Sequence, residues 1–204
     1  MAEEQEPQNL DITDELIAER RTGDVTQLPD DMPDWMAFLI RWIDTINLWV
    51  GRVVCFLVLP LFTVMVYEVF VRYVFVAPTA WAYDLSRMLG GALFMLGAAY
   101  ALSKGVHIRA DFIYRNFSVR NQGRVDAVLY LFFYMPGMLV FMWTSLDFAG
   151  VSWFQMERGM DSAWMPYLAP SKSALPIGIF FLILQGVSEF FKSYYAATRG
   201  RWPV

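Results

Sequence analysis

Four long apolar runs in the last three quarters of the chain constrain it more than any other feature. The first covers residues 53–71 and is interrupted only by Pro60, Thr63 and Glu68. The second covers 81–102, with Asp84 and Arg87 in its first turns. The third, 127–146, carries no charge, and the fourth, 173–188, continues through Phe190 and Phe191 towards Tyr195. A helix crossing the hydrocarbon core of a bilayer needs ~20 residues. A water-soluble fold can bury one such run, but four need a polar shell that this composition lacks. The chain is 57% hydrophobic and 18% charged, whereas ordinary soluble domains are roughly 45–50% apolar. The expected fold class is an all-α membrane protein with four transmembrane helices.

Charge is unevenly divided. Residues 1–44 hold twelve acids and three bases, and the remaining 160 hold eight acids and thirteen bases. An acidic head on a basic, apolar body does not suit a nucleic-acid binder, whose bases should cluster on a solvated face. The loop after the second run carries Lys104, Arg109, Arg115, Arg120 and Arg124, and the C-terminal region carries Lys192, Arg199 and Arg201. The opposite side has Arg72, Arg87, Arg158 and Lys172. An excess of lysine and arginine marks the cytoplasmic side, so both termini are expected there. The start, Met1-Ala2-Glu3-Glu4, lacks the basic and apolar regions of a secretory signal. Trp81, Tyr83, Trp153, Trp164 and Tyr167 are then expected to form an aromatic belt on the outer side.

Ahead of the first span, Trp35, Phe38, Leu39, Trp42, Ile46 and Trp49 recur at three- and four-residue steps. That spacing predicts an amphipathic helix, and Trp35, Trp42 and Trp49 are candidate anchors at the membrane interface. The expected organisation is an acidic, largely disordered cytoplasmic tail over 1–32 with a weakly patterned helix near 10–21, and an interfacial helix over 33–50. A four-helix transmembrane domain over 51–196 and a short cytoplasmic tail over 197–204 complete it.

Residues suited to chemistry are sparse. Cys55 and His107 are the sole cysteine and histidine, which leaves no disulfide and no Cys/His zinc set within one chain. No Gly-x-Ser-x-Gly elbow, phosphate loop or His-Glu-x-x-His helix occurs, and these are specific signals. The chain is expected not to be an enzyme. Glu68 is the one carboxylate within the first run. A charge buried in the bilayer costs several kcal/mol, but Arg72 lies one turn later, where an i,i+4 pair is available, and Arg87 is a second candidate partner. Glu68 reads either as such a structural tie or as a coupling acid for proton or ion translocation. Gly97 and Ala101 make a small-xxx-small pair that admits a close neighbour helix, in this chain or another. Kinks are expected at Pro60 and Pro136. Every paired polar candidate falls at a helix end.

Local matches carry a family resemblance. Arg72-Tyr73-Val74-Phe75, followed by Pro78, Trp81, Asp84 and Arg87, form one stretch. Leu96-Gly97-Ala98-Ala99 and then Gly105-Val106-His107-Ile108-Arg109-Ala110-Asp111 form another. Together they resemble the small membrane (Q, or DctQ-type) subunit of tripartite ATP-independent periplasmic (TRAP) transporters. Family members commonly have glutamate where this chain has Asp84.

The resemblance implies a scaffold subunit without cofactor, paired with a large membrane subunit that holds the substrate and sodium sites in a moving elevator. It also implies a soluble periplasmic protein that delivers the solute transiently, usually an organic acid, and residence in the bacterial cytoplasmic membrane among its lipids. Glu68, Arg72, Trp81, Asp84, Arg87, Gly97, Ala101, His107 and Asp111 are the candidate inter-helix or subunit contacts. The alternative is a self-contained small transporter or channel formed by oligomerisation, with Glu68 as its coupling acid.

Overall fold

The computed structural model describes residues 28–29, 31–104 and 117–203. Within them the chain forms helices α1 (Asp34–Cys55), α2 (Val58–Val74), α3 (Ala82–Ser103), α4 (Val119–Leu129), α5 (Met135–Phe154) and α6 (Ala169–Arg199). A π-helical turn, Tyr130–Tyr134, joins α4 to α5. There is no strand among the described residues, only an isolated antiparallel bridge between Arg158 and Tyr167. Among the described residues, counted with their continuations, four helices are long and apolar enough to cross a membrane: Asp34–Val74, Ala82–Ser103, Val119–Phe154 and Ala169–Arg199. The four expected spans are therefore present. His107, Asp111 and the weakly patterned helix near 10–21 lie outside the described residues.

Two discontinuities follow from proline. Pro60 has no N–H for the carbonyl of Phe56, and its ring crowds that carbonyl. The chain breaks there into a two-residue turn at Phe56 and Leu57, where Leu59 N–H donates to the Phe56 carbonyl at 3.1 Å. Pro136 similarly cannot bond the carbonyl of Phe132. The π-helical turn absorbs this, with Met135 N–H reaching back to the Tyr130 carbonyl; such one-turn bulges relieve a strained ladder.

The helices lie side by side in a row rather than in a closed bundle. In that row α2 packs on α3, α3 on α6, and α6 on α4 and α5, while α1 crosses both α3 and α6. Consequently α6 buries residues around most of its circumference, among them Ala174, Ile179, Leu182, Gln185, Ser188 and Ala196. The outer helices do not: α2 buries nothing and α5 buries only Ser145, Ala149 and Ser152. Phe62, Phe70, Phe132, Phe133 and Trp143 are all exposed. In water such a surface would be untenable, since soluble monomers rarely expose apolar patches beyond a few hundred Å². Hydrocarbon or a partner helix is the environment it fits.

Close approach to α6 is made by glycine. A Cβ at Gly178 would stand 2.5 Å from the Met95 carbonyl oxygen of α3, and one at Gly123 would stand 2.5 Å from the Ala197 backbone nitrogen. At Gly97 a Cβ would meet nothing within 4 Å, so the small face of α3 at Gly97 is not what holds the helices of this chain together.

At the far end of α1, packing starts before residue 33. Met32, Met36, Ile40 and Tyr195 form a buried cluster flanked by Leu28 and Phe191. The helix also runs past residue 50, ending at Cys55.

These contacts predict that Gly178→Ala forces α3 and α6 apart, lowering stability by about 1–3 kcal/mol as overpacking does, whereas Gly97→Ala is tolerated. Thermal unfolding of the two purified variants in detergent, followed by tryptophan fluorescence, checks the contrast.

Candidate functional site

Two polar clusters tie the helices at the end where the α2–α3 and α5–α6 connections lie. In the first, Arg72 donates to Glu68 Oε1 from Nη2 at 2.6 Å and from Nε at 3.0 Å. The Thr79 backbone N–H donates to Glu68 Oε2 at 3.1 Å, and the Thr79 hydroxyl donates to the same oxygen. Both carboxylate oxygens are thus engaged, and the carboxylate pins the turn between α2 and α3. Trp81 stacks on Tyr67 beside it, with ring centroids 5.7 Å apart. Of the two cations available to Glu68 by sequence, the structure uses Arg72.

Arg87 belongs to the second cluster. Its Nη1 donates to Asp161 Oδ2 at 2.6 Å and its Nη2 to Asp84 Oδ1 at 3.5 Å. Asp84 is completely buried, and its other oxygen accepts the Ser162 hydroxyl. The residues of the one motif stretch thus fall into two clusters: Arg72 bonds back to Glu68 on α2, while Arg87 and Asp84 reach across to the α5–α6 connection. Asp161 and Ser162 escaped the sequence reading because they lie 74 and 78 positions from their partners.

That connection is a tightly tied loop. Gly159 N–H bonds the Pro166 carbonyl at 2.9 Å and Leu168 N–H the Glu157 carbonyl at 3.0 Å. Arg158 donates to the Tyr167 hydroxyl at 2.6 Å with its guanidinium 4.4 Å from the ring centroid. Met156 and Met165 adopt positive φ of 48° and 46°, costly for side-chain-bearing residues and sustained by the surrounding bonds. Lys172 donates to Glu157 at 2.5 Å, and this bond holds the Glu157 carboxyl below the ordinary carboxylate range.

A third cluster was not anticipated, and it corrects the reading that polar pairs sit only at helix ends. Well inside α1 and α6, Lys192 bridges Asp44 and Glu189, each at 2.8 Å. Gln185 donates to Asp44 at 3.0 Å, Ser188 donates to Asp44 at 2.8 Å, and Asn47 donates to Gln185 at 2.7 Å. All six residues are buried. Asp44 lies on the face of α1 opposite the spaced tryptophans; that face turns inward onto α6, while Trp35, Trp42 and Trp49 are exposed, Trp35 touching Phe191 of α6 edge-on. The signal available in the sequence was the three- and four-residue spacing of Gln185, Ser188, Glu189 and Lys192, which makes one polar stripe on an otherwise apolar helix.

Past this cluster, Tyr195 donates to Asp31 at 2.8 Å, Arg201 also bonds Asp31, and Arg199 lies 4.0 Å away. The Tyr195 hydroxyl, with Arg201 in support, holds the Asp31 carboxyl below its usual range. The strap joins the lead-in to α1 to the end of α6.

A row of four membrane-length helices, fastened at its connection end by ion pairs and through its interior by a buried polar network, defines a multi-pass helical membrane protein. The profile of the family described as "Tripartite ATP-independent periplasmic transporters, DctQ component" matches residues 61–194, and the chain belongs to that family. It is thus a small membrane subunit of a TRAP transporter, in a family that works with a large membrane subunit and a substrate-binding protein. No curated protein and no solved structure matches it.

Removing Arg87 leaves the buried Asp84 carboxylate with the Ser162 hydroxyl as its remaining close donor. Arg87→Ala should cost about 1–3 kcal/mol, the guanidinium being half exposed and screened. Arg87→Lys should recover only part of this, because an ammonium cannot span two carboxylates as a planar fork does. Unfolding midpoints of the two variants, with recovery of the large subunit on co-purification, provide the measurement.

The Asp31 strap sets a pH dependence with a definite sign. A carboxyl whose folded pKa is depressed contributes fully above its unfolded value, about pH 4, and its contribution disappears as pH falls through the lower folded value. Hydrogen exchange around residues 31–36 should accelerate over that acid window in the native chain, and Asp31→Asn should be fast already at neutral pH.

Proposed function

We propose that this chain is the stationary scaffold of a sodium-coupled TRAP transporter for organic-acid-type solutes, stabilising a large elevator subunit that carries the sodium and solute sites. The observation that carries this reading is the state of Glu68, the one carboxylate within the apolar run 53–71; Asp44, earlier in the same span, is likewise held inside the chain by Lys192, Gln185 and Ser188. Both oxygens of Glu68 are occupied by Arg72 and Thr79 of the same chain, so it serves to hold a turn. A coupling acid must instead exchange its partners during the cycle, as intramembrane proton and ion relays do.

The open row supports the same reading. It leaves α2 and α5 with long apolar flanks, suited to helices of a larger partner and to lipid. The excess of bases on the loop after α3 and on the C-terminal region supports placing both termini in the cytoplasm. The exposed tryptophans of α1 support a position of that helix close to the interface.

Reconstitution tests it. The purified chain alone in liposomes should move no solute under a sodium gradient, and the complete system should. In the assembled complex, Glu68→Gln should retain at least about half the wild-type transport rate with unchanged sodium dependence, because a neutral amide still accepts from Thr79. Flux from the isolated chain, or lost sodium coupling in a fully assembled Glu68→Gln complex, would favour the self-contained transporter instead.

A further inference from the structure

Near the connection end, α3, α5 and α6 enclose an open cavity of about 220 Å³. Gly91 and Met95 of α3, Phe148 of α5 and Leu175 of α6 form its apolar wall, and Arg87 and Lys172 also line it, the Lys172 ammonium 4.2 Å from the Phe148 ring centroid. Gly91 is exposed and a Cβ built there meets nothing within 4 Å, so the cavity is open beside Gly91. Arg87 and Lys172 lie within the first two turns of α3 and α6, towards the end of each span, where basic side chains reach the headgroup layer. Met95 is eight residues further along, which at ~1.5 Å per residue is ~12 Å into the hydrocarbon. The shape is that of a slot for a lipid chain beneath a charged rim.

The charges on the rim say which lipid. Arg87 and Lys172 line the slot, and their ion-pair partners stand behind them: the buried Asp84 and the more accessible Glu157 and Asp161. Glu157 and Asp161 keep much of their side-chain surface accessible, at 36% and 53%. A headgroup with net negative charge meets a rim that already carries one excess negative charge. A headgroup with phosphate and primary ammonium matches both signs, and the ammonium donates to carboxylates in a way a quaternary choline cannot.

We propose that this slot binds a phospholipid of the phosphatidylethanolamine class. Its phosphate sits between Arg87 and Lys172, its ammonium turns to Asp161 and Glu157, and one acyl chain lies along Gly91, Met95, Phe148 and Leu175. The site depends on the membrane location of the chain and not on the scaffold role, so transport data do not bear on it.

The test uses the full chain, purified in detergent, stripped of lipid and offered phosphatidylethanolamine, phosphatidylcholine or phosphatidylglycerol of identical acyl chains, with bound lipid counted by native mass spectrometry. Phosphatidylethanolamine should bind about tenfold more tightly than either of the others. Gly91→Leu, which places a side chain in open space within the slot, should abolish that binding, and Gly90→Leu, outside its lining, should not. Asp161→Asn, which removes one acid and loosens Arg87, should shift the preference towards phosphatidylglycerol. Equal binding of the three lipids, no retained lipid, or wild-type binding by Gly91→Leu would each overturn the proposal.

Discussion

The inward polar stripe of α6 is the interaction on which the other elements depend. Lys192 neutralises one of the two carboxylates it bridges, and Gln185 and Ser188 supply further donors to Asp44. A charge buried alone inside a bilayer is expensive, but a charge that finds partners in the same interior fixes which helix lies beside it and in which register. Apolar contact between α1 and α6 would permit sliding and rotation, because one leucine face packs much like another. Hydrogen bonds from Asn47 to Gln185 and from Ser188 to Asp44 do not. With α1 fixed to α6, α3 is clasped between them and the rest of the row is built outward.

The connection end works on a second scheme, in which local ion pairs brace turns. Glu68 braces α2 to α3 through Thr79, and Asp84 with Arg87 braces α3 to the loop before α6. Each of these loops has a strained position: Val76 in the first and Met156 and Met165 in the second adopt positive φ. Backbone in these conformations persists only where surrounding bonds over-determine it. The same bonds shape the open slot beside Arg87 and Lys172.

Much of this was legible beforehand, for identifiable reasons. The spans follow from run length and charge, and the discontinuities near Pro60 and Pro136 from the missing N–H. The Glu68–Arg72 pair follows from one turn of helix. Each depends on residues near one another in the chain. The pairing of Arg87 with Asp161, the hydroxyl of Ser162 on Asp84 and the bridge from Lys192 to Asp44 join residues far apart in sequence, and no local period records them. Gly97 shows the converse case. Its small-residue spacing is a real local pattern, but close packing was achieved at Gly178 and Gly123 instead.

The amino-acid sequence by itself determined that this chain lives in a membrane, how many times it crosses, where its helices break and which family it resembles. Those properties depend on length, hydropathy and backbone chemistry, which are read locally. Tertiary structure decided that the helices lie in a row, that α1 turns Asp44 inward and leaves its tryptophans exposed, and that Arg87 pairs across to the loop before α6. The reason is physical: hydrocarbon and a neighbouring helix accept the same apolar side chains, so hydrophobic patterning in a membrane protein does not distinguish an inner face from an outer one. Only the few polar groups that must be satisfied make that choice, and their partners come from distant parts of the chain.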